Sequence, residues 1–310
     1  MLLSSRQIKA EAARLGFSAC GLARAEAVDR QTADAFSQWL SDGCQAGMEY
    51  MKNNGEKRLN PQLLVEGVQT VVSVALNYYP PTQLPTEEYQ LAWYAYGKDY
   101  HDIMKAKLYE LFGAICRQMS VPVAGRVFCD TAPLLERYWA QRAGLGWIGK
   151  NTQLIIPHAG SCFFLGEILL DIEADSYDSP LPNRCGTCHR CLDACPTKAL
   201  EAPFRLSARR CLSYLTIEHR GDIPADTSKK MGQKIYGCDE CQRACPWNRF
   251  AQPCQTTEFH PSPALLQMTR NAWQQLTEEQ YRQLFKGSAV KRAKYAGLMR
   301  NIKAASEGKE

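Results

Sequence analysis

The sequence predicts an α/β fold of the α+β kind, laid out as two unlike parts and a tail. Three observations carry that prediction. Helix-like and strand-like patterns alternate up to about residue 178, cysteines crowd together between residues 179 and 255, and from residue 256 to 310 the pattern turns helical and basic. The chain has 310 residues, of which 45% are hydrophobic and 22% charged, a balance that excludes disorder and supports a sizeable core. No run approaches the roughly 18 consecutive apolar residues of a membrane span. The opening residues MLLSSRQIKAEAARLG have no apolar stretch ahead of their charges, so a cytoplasmic protein with no membrane partner is expected. The net charge of +5 permits an anionic partner without requiring one.

Taken in order, Ser4 to Leu15 reads as a helix, Phe17 to Leu22 as a short strand, and Thr70 to Tyr79 as a buried strand rich in β-branched and aromatic residues. Met104, Leu108, Leu111, Phe112, Ile115 and Met119 fall at helical spacing and predict an amphipathic helix from Tyr100 to Met119 with a core-facing stripe. Arg126 to Asp130 looks like a strand. Its end meets Thr131, a candidate N-cap, and Pro133, suited to the first turn of a helix running to Ala143. Asn151 to Ile156 and Ser161 to Ile172 read as two strands joined through the turn at Pro157 to Gly160. The segment from Asp175 to Arg184, with its prolines and turn formers, marks the boundary of the first domain.

Fourteen cysteines in a chain expected in a reducing compartment point to metal or redox chemistry rather than disulfides. Cys185, Cys188, Cys191 and Cys195, followed by Pro196, spell the C-x2-C-x2-C-x3-C-P run with which bacterial ferredoxins hold 4Fe-4S clusters; the fourth cysteine of that run ligates a second cluster. The second cluster is expected at Cys238, Cys241 and Cys245 before Pro246, the same run short of one member, with Cys211 supplying the missing thiolate. Crossing the fourth ligands gives one cluster on Cys185, Cys188, Cys191 and Cys245 and another on Cys195, Cys211, Cys238 and Cys241. Two tetrahedral zinc sites are the rival reading, but four cysteines within eleven residues and two Cys-Pro endings match zinc spacing poorly. Cys20, Cys44, Cys116, Cys129, Cys162 and Cys254 lie outside both runs and read as small buried hydrophobes.

Two short patterns point elsewhere and are set aside. Gly144, Gly146 and Gly149 form a G-x-G-x-x-G, yet a helix precedes them and a strand follows, the reverse of a dinucleotide site. They read as a helix stop and a close approach of backbone to something flat or bulky. Asp99 and His101 begin like a motif that lends histidine to cobalt, but Met104 stands where glycine belongs, so His101 is not expected to bind cobalt. His158, His189, His219 and His260 show no ligand-type spacing.

Several motifs in order, VFCDTAPLLER around Asp130, AGLGWIGKN (143–151), GSCFFLGEILLD (160–171), the cysteine run, RRCLSYLTIEHRG (209–221) and IYGCDECQRACPWNR (235–249), resemble epoxyqueuosine reductases. The likeness runs from about Arg58 to Asn301. It implies a cobalamin-dependent iron-sulfur enzyme that reduces epoxyqueuosine to queuosine in the anticodon of tRNA, the last step of queuosine synthesis. It also implies Asp130 as proton donor, with a carboxyl pKa raised by burial or a neighbouring negative charge. By motif position it puts Arg58, Asp130, Leu154 and Leu165 against cobalamin, with Ser213 and Tyr214 between the clusters and that cofactor. Lys229, Lys230, Lys234, Lys291, Arg292 and Lys294 are candidate contacts to tRNA phosphates. Many family members continue into a helical-repeat extension that grips tRNA, whereas this sequence stops at Glu310, so weaker grip with unaltered chemistry is expected.

The combined expectation is an N-terminal α/β sheet domain (1–178) that binds cobalamin and substrate, a ferredoxin-like module with two 4Fe-4S clusters (179–255), and a short basic helical C-terminal segment (256–310). The partners expected are tRNA carrying epoxyqueuosine and a flavodoxin or ferredoxin type electron donor, with the enzyme a monomer. A corrinoid reductive dehalogenase-like reductase and a bare electron-transfer iron-sulfur protein are the alternatives.

Overall fold

A computed structural model describes residues 2–308. Its frame is a four-stranded antiparallel sheet in the order β1-β2-β7-β4, made of Ala19–Arg24 (β1), Thr70–Asn77 (β2), Gly125–Phe128 (β4) and Phe163–Leu170 (β7). β2 and β7 pair over their whole lengths, Thr70 opposite Leu170 and Asn77 opposite Phe163. Side chains alternate faces along a strand. Val72, Val74 and Leu76 accordingly enter one core with Ile168, while Val71 and Ala75 enter another with Leu169. Helices α1 (Ser5–Arg14) and α4 (Tyr100–Gln118) cover the first face, and the predicted stripe of α4, at Met104, Leu108, Leu111 and Ile115, is buried there. Helix α5 (Glu136–Arg142) covers the other, where Tyr138, Trp139 and Ala140 are buried.

Three local expectations are corrected. The first strand lies two residues later than expected, because Phe17 packs into the core from the turn after α1. Thr131 caps no helix: its N–H donates to Cys129 and that of Leu134 to Ala132, closing two tight turns that delay α5 to Glu136. The stretch 151–156 does not form a long strand beside β7. Leu154–Ile155 (β6) pairs instead with Trp147–Ile148 (β5), a hairpin with only an isolated bridge, Ile156 to Gly160, leading onward. That pairing accounts for the glycines. Gly144 stops α5 at φ +73°, and a Cβ on Gly146 would stand 2.1 Å from the carbonyl oxygen of Ile155. The close approach is to β6 backbone rather than to a ligand.

Two short helices, α2 (Arg30–Ser41) and α3 (Gly55–Leu59), lie between β1 and β2. After β7, residues 171–189 hold no helix or strand, and Asp178 is pinned to the first part by Lys9 at 2.6 Å and by the N–H of Leu22 at 2.9 Å. The cysteine region then alternates short pieces: α6 (Arg190–Asp193), a hairpin of β8 (Leu200–Ala202) and β9 (Arg205–Leu206), α7 (Leu212–Ile217), α8 (Ala225–Met231), β10 (Lys234–Tyr236) and α9 (Glu240–Arg243). β10 pairs in parallel with β3 (Gln90–Leu91) of the first part. The tail is helical as expected, through α10 (Pro263–Leu266), α11 (Arg270–Gln274), α12 (Glu278–Leu284) and α13 (Lys294–Glu307). Phe259, Trp273, Phe285, Leu298 and Ile302 join the first core, so all three stretches of sequence share it. Among the described residues no helix is long and apolar enough to cross a membrane.

Candidate functional site: a cleft between carboxylates and thiols

The cleft opens at one end of the sheet, where β2 ends, β7 begins and β4 gives way to the Asp130 turn. Its cavity of about 240 Å³ is lined by Tyr78, Tyr94, Tyr100, Asp130, Glu136, Arg137, Gln153, Leu154, Ser161, Phe163, Phe164 and Leu165. Asp130, Leu154 and Leu165, three of the residues singled out from sequence, thus share one wall. Asp130 lies beyond the strand predicted to carry it, at φ +58° in the left-handed region. That conformation turns its carboxyl toward α4. The Tyr100 hydroxyl donates to Oδ2 at 2.9 Å and His101 Nε2 lies 3.2 Å from the same oxygen, while Asp99 Oδ1 holds His101 Nδ1 at 2.6 Å.

The expected rise in the Asp130 pKa is overturned. The hydrogen bond from His101, then that from Tyr100, hold it below the usual carboxylate range against the raising effect of partial desolvation. The side chain is 58% exposed at the mouth of the cleft, which limits the desolvation that the expectation relied on. The raised groups stand around it. His101 is pushed up to about 9 by Asp130 and Asp99. Enclosure raises Glu136, whose Oε1 accepts the backbone N–H of Asp130. Glu167, fully buried on β7 opposite Ser73, is raised further, and neither of its oxygens has a partner. Asp99, Tyr100, His101, Glu136 and Glu167 were all missed as site residues in the sequence. The Asp-Tyr-His run was visible, but was weighed as a cobalt motif and not as a helix start facing Asp130.

The segment after α2, which carries Tyr50 and Arg58, does not line the cavity. Arg58 is buried at 8% exposure; its guanidinium reaches the carbonyl of Tyr50 at 3.3 Å and its Nε has no partner. Asp130, Glu218, Arg292 and Arg58 are all near enough to the Tyr50 hydroxyl to perturb it. Ser213 and Tyr214 do not line the cavity. Their N–H groups donate to the Cys211 thiol, and the Tyr214 hydroxyl accepts the Gly47 N–H at 2.9 Å, tying α7 to the segment that carries Tyr50 and Arg58. The residues present fit a large flat ring with polar edges: an apolar wall of Leu154, Phe163 and Leu165, and a buried guanidinium with an unused donor.

Behind the cleft the thiols of the two cysteine stretches lie near one another. Cys245 is an electrostatic neighbour of Cys185, Cys188 and Cys191, whereas Cys211 and Cys241 neighbour Cys195 and Cys238. Burial pushes Cys191 up to about 11 and Cys238 to about 12, so metal binding must displace protons there. Among the described residues, no three His, Cys, Asp or Glu side chains converge on a point that could hold one ion. Of the six remaining cysteines, Cys44, Cys129, Cys162 and Cys254 are buried, and Cys20 and Cys116 are half-buried.

The motif GKN docks both cysteine stretches on the cleft. Lys150 Nζ donates to the carbonyls of Gly186 and Cys188, at 2.6 and 2.9 Å, and Asn151 Nδ2 donates to that of Cys241 at 3.3 Å. Gln242 Nε2 donates to the Tyr78 hydroxyl and the Ser161 carbonyl, and Asn248 Oδ1 accepts the Ser161 N–H at 2.7 Å. A Cβ on Gly160, whose φ is +88°, would stand 2.2 Å from that Asn248 oxygen. Of the basic residues, Lys229, Lys230, Lys291 and Lys294 are exposed. Lys234 is paired with Glu240 at 3.2 Å and Arg292 is bidentate on Glu218.

A family model described as epoxyqueuosine reductase QueG, DUF1730, matches residues 58–131, and one described as a 4Fe-4S double cluster binding domain matches residues 184–248. The epoxyqueuosine reductase of Cellulophaga algicola is 43% identical over 295 residues, 95% of each chain. A crystal structure of epoxyqueuosine reductase with a tRNA-Tyr epoxyqueuosine-modified stem loop matches at a TM-score of 0.88 and 29% identity, over 97% of this chain and 80% of that one. A Bacillus subtilis epoxyqueuosine reductase, with its catalytic aspartate loop swung out of the active site, matches at 0.87 and 29% identity over the same shares.

Proposed function

The chain belongs to the epoxyqueuosine reductase family, and from that premise we propose that it reduces epoxyqueuosine to queuosine at the anticodon wobble position of tRNA, using two 4Fe-4S clusters and cobalamin. Converting an epoxide to an alkene takes up two electrons and two protons and releases the oxygen as water. The observation that carries the reading is that electron and proton groups meet in one cleft: Asn151 holds the Cys241 stretch, and Leu154, three residues on, faces the same space as Asp130.

The ligand sets are Cys185, Cys188, Cys191 and Cys245 for one cluster and Cys195, Cys211, Cys238 and Cys241 for the other. Cobalamin, when bound, supplies a low-potential metal centre able to pass electrons to carbon. Arg58 would hold its polar edge, Leu154 and Leu165 its ring, and Ser213 and Tyr214 the passage toward the deeper thiols. Asp130 hands a proton to the epoxide oxygen. At rest that proton sits on His101, 3.2 Å away, because the pair lowers the carboxylate and raises the imidazole. Asp99 fixes the imidazole, so His101 reloads Asp130 for each transfer. By likeness to the relative whose catalytic loop is swung out, the Asp130 turn has an open position as well.

The relative solved with a modified stem loop supports tRNA as the substrate. Lys229, Lys230, Lys291 and Lys294 meet its phosphates with free charges; Lys234 and Arg292 must first exchange a carboxylate partner. The electron donor, an acidic flavodoxin or ferredoxin type protein, approaches the surface around Cys185 and Cys188, where Arg184 and Arg190 are exposed. The enzyme acts as a monomer in the cytoplasm, where tRNA is. The test is anaerobic: protein loaded with cobalamin and reduced is given tRNA bearing epoxyqueuosine, alongside iron and corrin analysis. About eight irons, stoichiometric corrin and queuosine formation are expected; epoxyqueuosine left unchanged by the fully loaded protein refutes the reading.

A further inference from the structure

We propose that Glu136 is a positioning residue whose carboxyl oxygen, by accepting the backbone N–H of Asp130, latches the Asp130 turn in its inward position. This deepens the reading above and rests on it for the role of Asp130. Apart from the Asp130 carboxyl, which Tyr100 and His101 hold from α4, the backbone of the turn has few other ties. The N–H groups of Thr131 and Leu134 are used within it, on the carbonyls of Cys129 and Ala132, and Thr131 is exposed. Asp130 itself sits at φ +58°, a conformation that costs a non-glycine residue about 1 kcal/mol or more and persists only where surroundings impose it. The backbone bond to Glu136 Oε1 is such an imposition, since it holds the N–H of the strained residue itself.

The latch stands on a rigid support. Glu136 is the first residue of α5, whose consecutive side chains Tyr138, Trp139 and Ala140 are buried in the second core. Arg137 Nη1 donates to the Thr152 carbonyl at 2.6 Å, fastening α5 to the hairpin that carries Leu154. Glu167 lies under α5 on the same sheet face as Leu169 and makes no hydrogen bond to Glu136. The bond needs an acceptor oxygen at that point and no charge. Gln at 136 therefore keeps the latch, whereas Leu removes it.

The experiment measures amide hydrogen exchange over residues 127–135 in the full iron-sulfur protein, together with kcat and KM for tRNA. For Glu136→Leu, exchange in that stretch is expected to rise at least tenfold and kcat to fall about tenfold or more, with KM little changed. Glu136→Gln is expected to bring both back to within about threefold of the parent. If Gln behaves as badly as Leu in kcat while restoring slow exchange, Glu136 acts by titration and the latch is wrong; if neither variant changes exchange, it is also wrong. Should Leu disturb folding, seen as faster exchange throughout β4 and β7, Glu136→Asp takes its place, with the same loosening confined to the turn expected and its absence overturning the proposal. Exchange needs no turnover, so the latch is tested even if the parent protein leaves epoxyqueuosine untouched.

Discussion

In the proposed reaction the cysteine module and the Asp130 cleft hold the two halves, and they are built on opposite plans. In the module, seven of the eight thiols come from two short loops, 185–195 and 238–245, where close spacing sets the distance between successive cysteines. In the cleft, the Asp99-Tyr100-His101 run, the Asp130 turn and Glu167 of β7 are far apart in the chain; they meet because β4 and β7 are neighbours and α4 and α5 pack on the sheet. The module is therefore tolerant of its surroundings and intolerant of any single ligand. The cleft is the reverse, a set of ordinary carboxyl, imidazole and phenol groups whose properties come from who stands beside whom.

The largest effect that would sharpen this contrast is at the buried thiols. Cys211→Ser or Cys241→Ser is expected to remove one cluster's iron and to lower turnover more than about a thousandfold, with lost stability as well, since folding here is linked to metal. Retention of about eight irons by either variant would break the two-set picture. On the proton side, Asp130→Asn should lower kcat by about 10² to 10⁴, within the span of general acid catalysis, with iron and corrin content unchanged. An equal loss of iron would show that the two regions are not separable.

A third measurement concerns pH. The folded pKa of His101 is raised above its unfolded value near 6.5, to about 9. Its stabilisation is thus complete below about pH 6.5 and is lost as pH rises through 9. Melting curves from pH 6 to 10 should fall less steeply for His101→Gln than for the parent. The difference is on the order of 1 kcal/mol, because its partner Asp130 is largely exposed and screened. A parallel pair of curves would remove the ion pair from the account. The smallest effect is at the outer thiols. Arg184→Glu with Arg190→Glu should slow reduction by an acidic donor protein about three- to tenfold in a salt-dependent way, and leave reduction by dithionite unchanged. Equal slowing with dithionite would mean damage to the cluster rather than to docking.

How much of this was legible in the sequence follows the same division. The two cysteine runs could be read from Cys-Pro endings and x2 spacings, and the buried stripe of α4 from its period, because both are local; the crossing of the runs is part of the proposal. The glycines of GLGWIGK announced a helix stop, which Gly144 is, but the backbone that approaches Gly146 belongs to Ile155 of β6, nine residues on, and no spacing rule names it. Asp130 was found through its motif neighbours, while its lowered pKa depends on His101, 29 residues earlier, and could only be misjudged from sequence. Glu136 and Glu167 carried no signal at all: a glutamate at a helix start and another in an apolar strand have ordinary local explanations.

What the sequence determined unaided was the inventory and its short-range geometry, namely which thiols could share a cluster and which helix face would be buried, since both depend on separations of a few residues along a chain of known pitch. Which carboxyl keeps its proton, which one holds the Asp130 backbone, and where Lys150 and Asn151 grip the cysteine loops were decided by the tertiary structure. Those properties depend on the distance between groups far apart in the chain and on the water excluded between them, and neither exists until the sheet has closed.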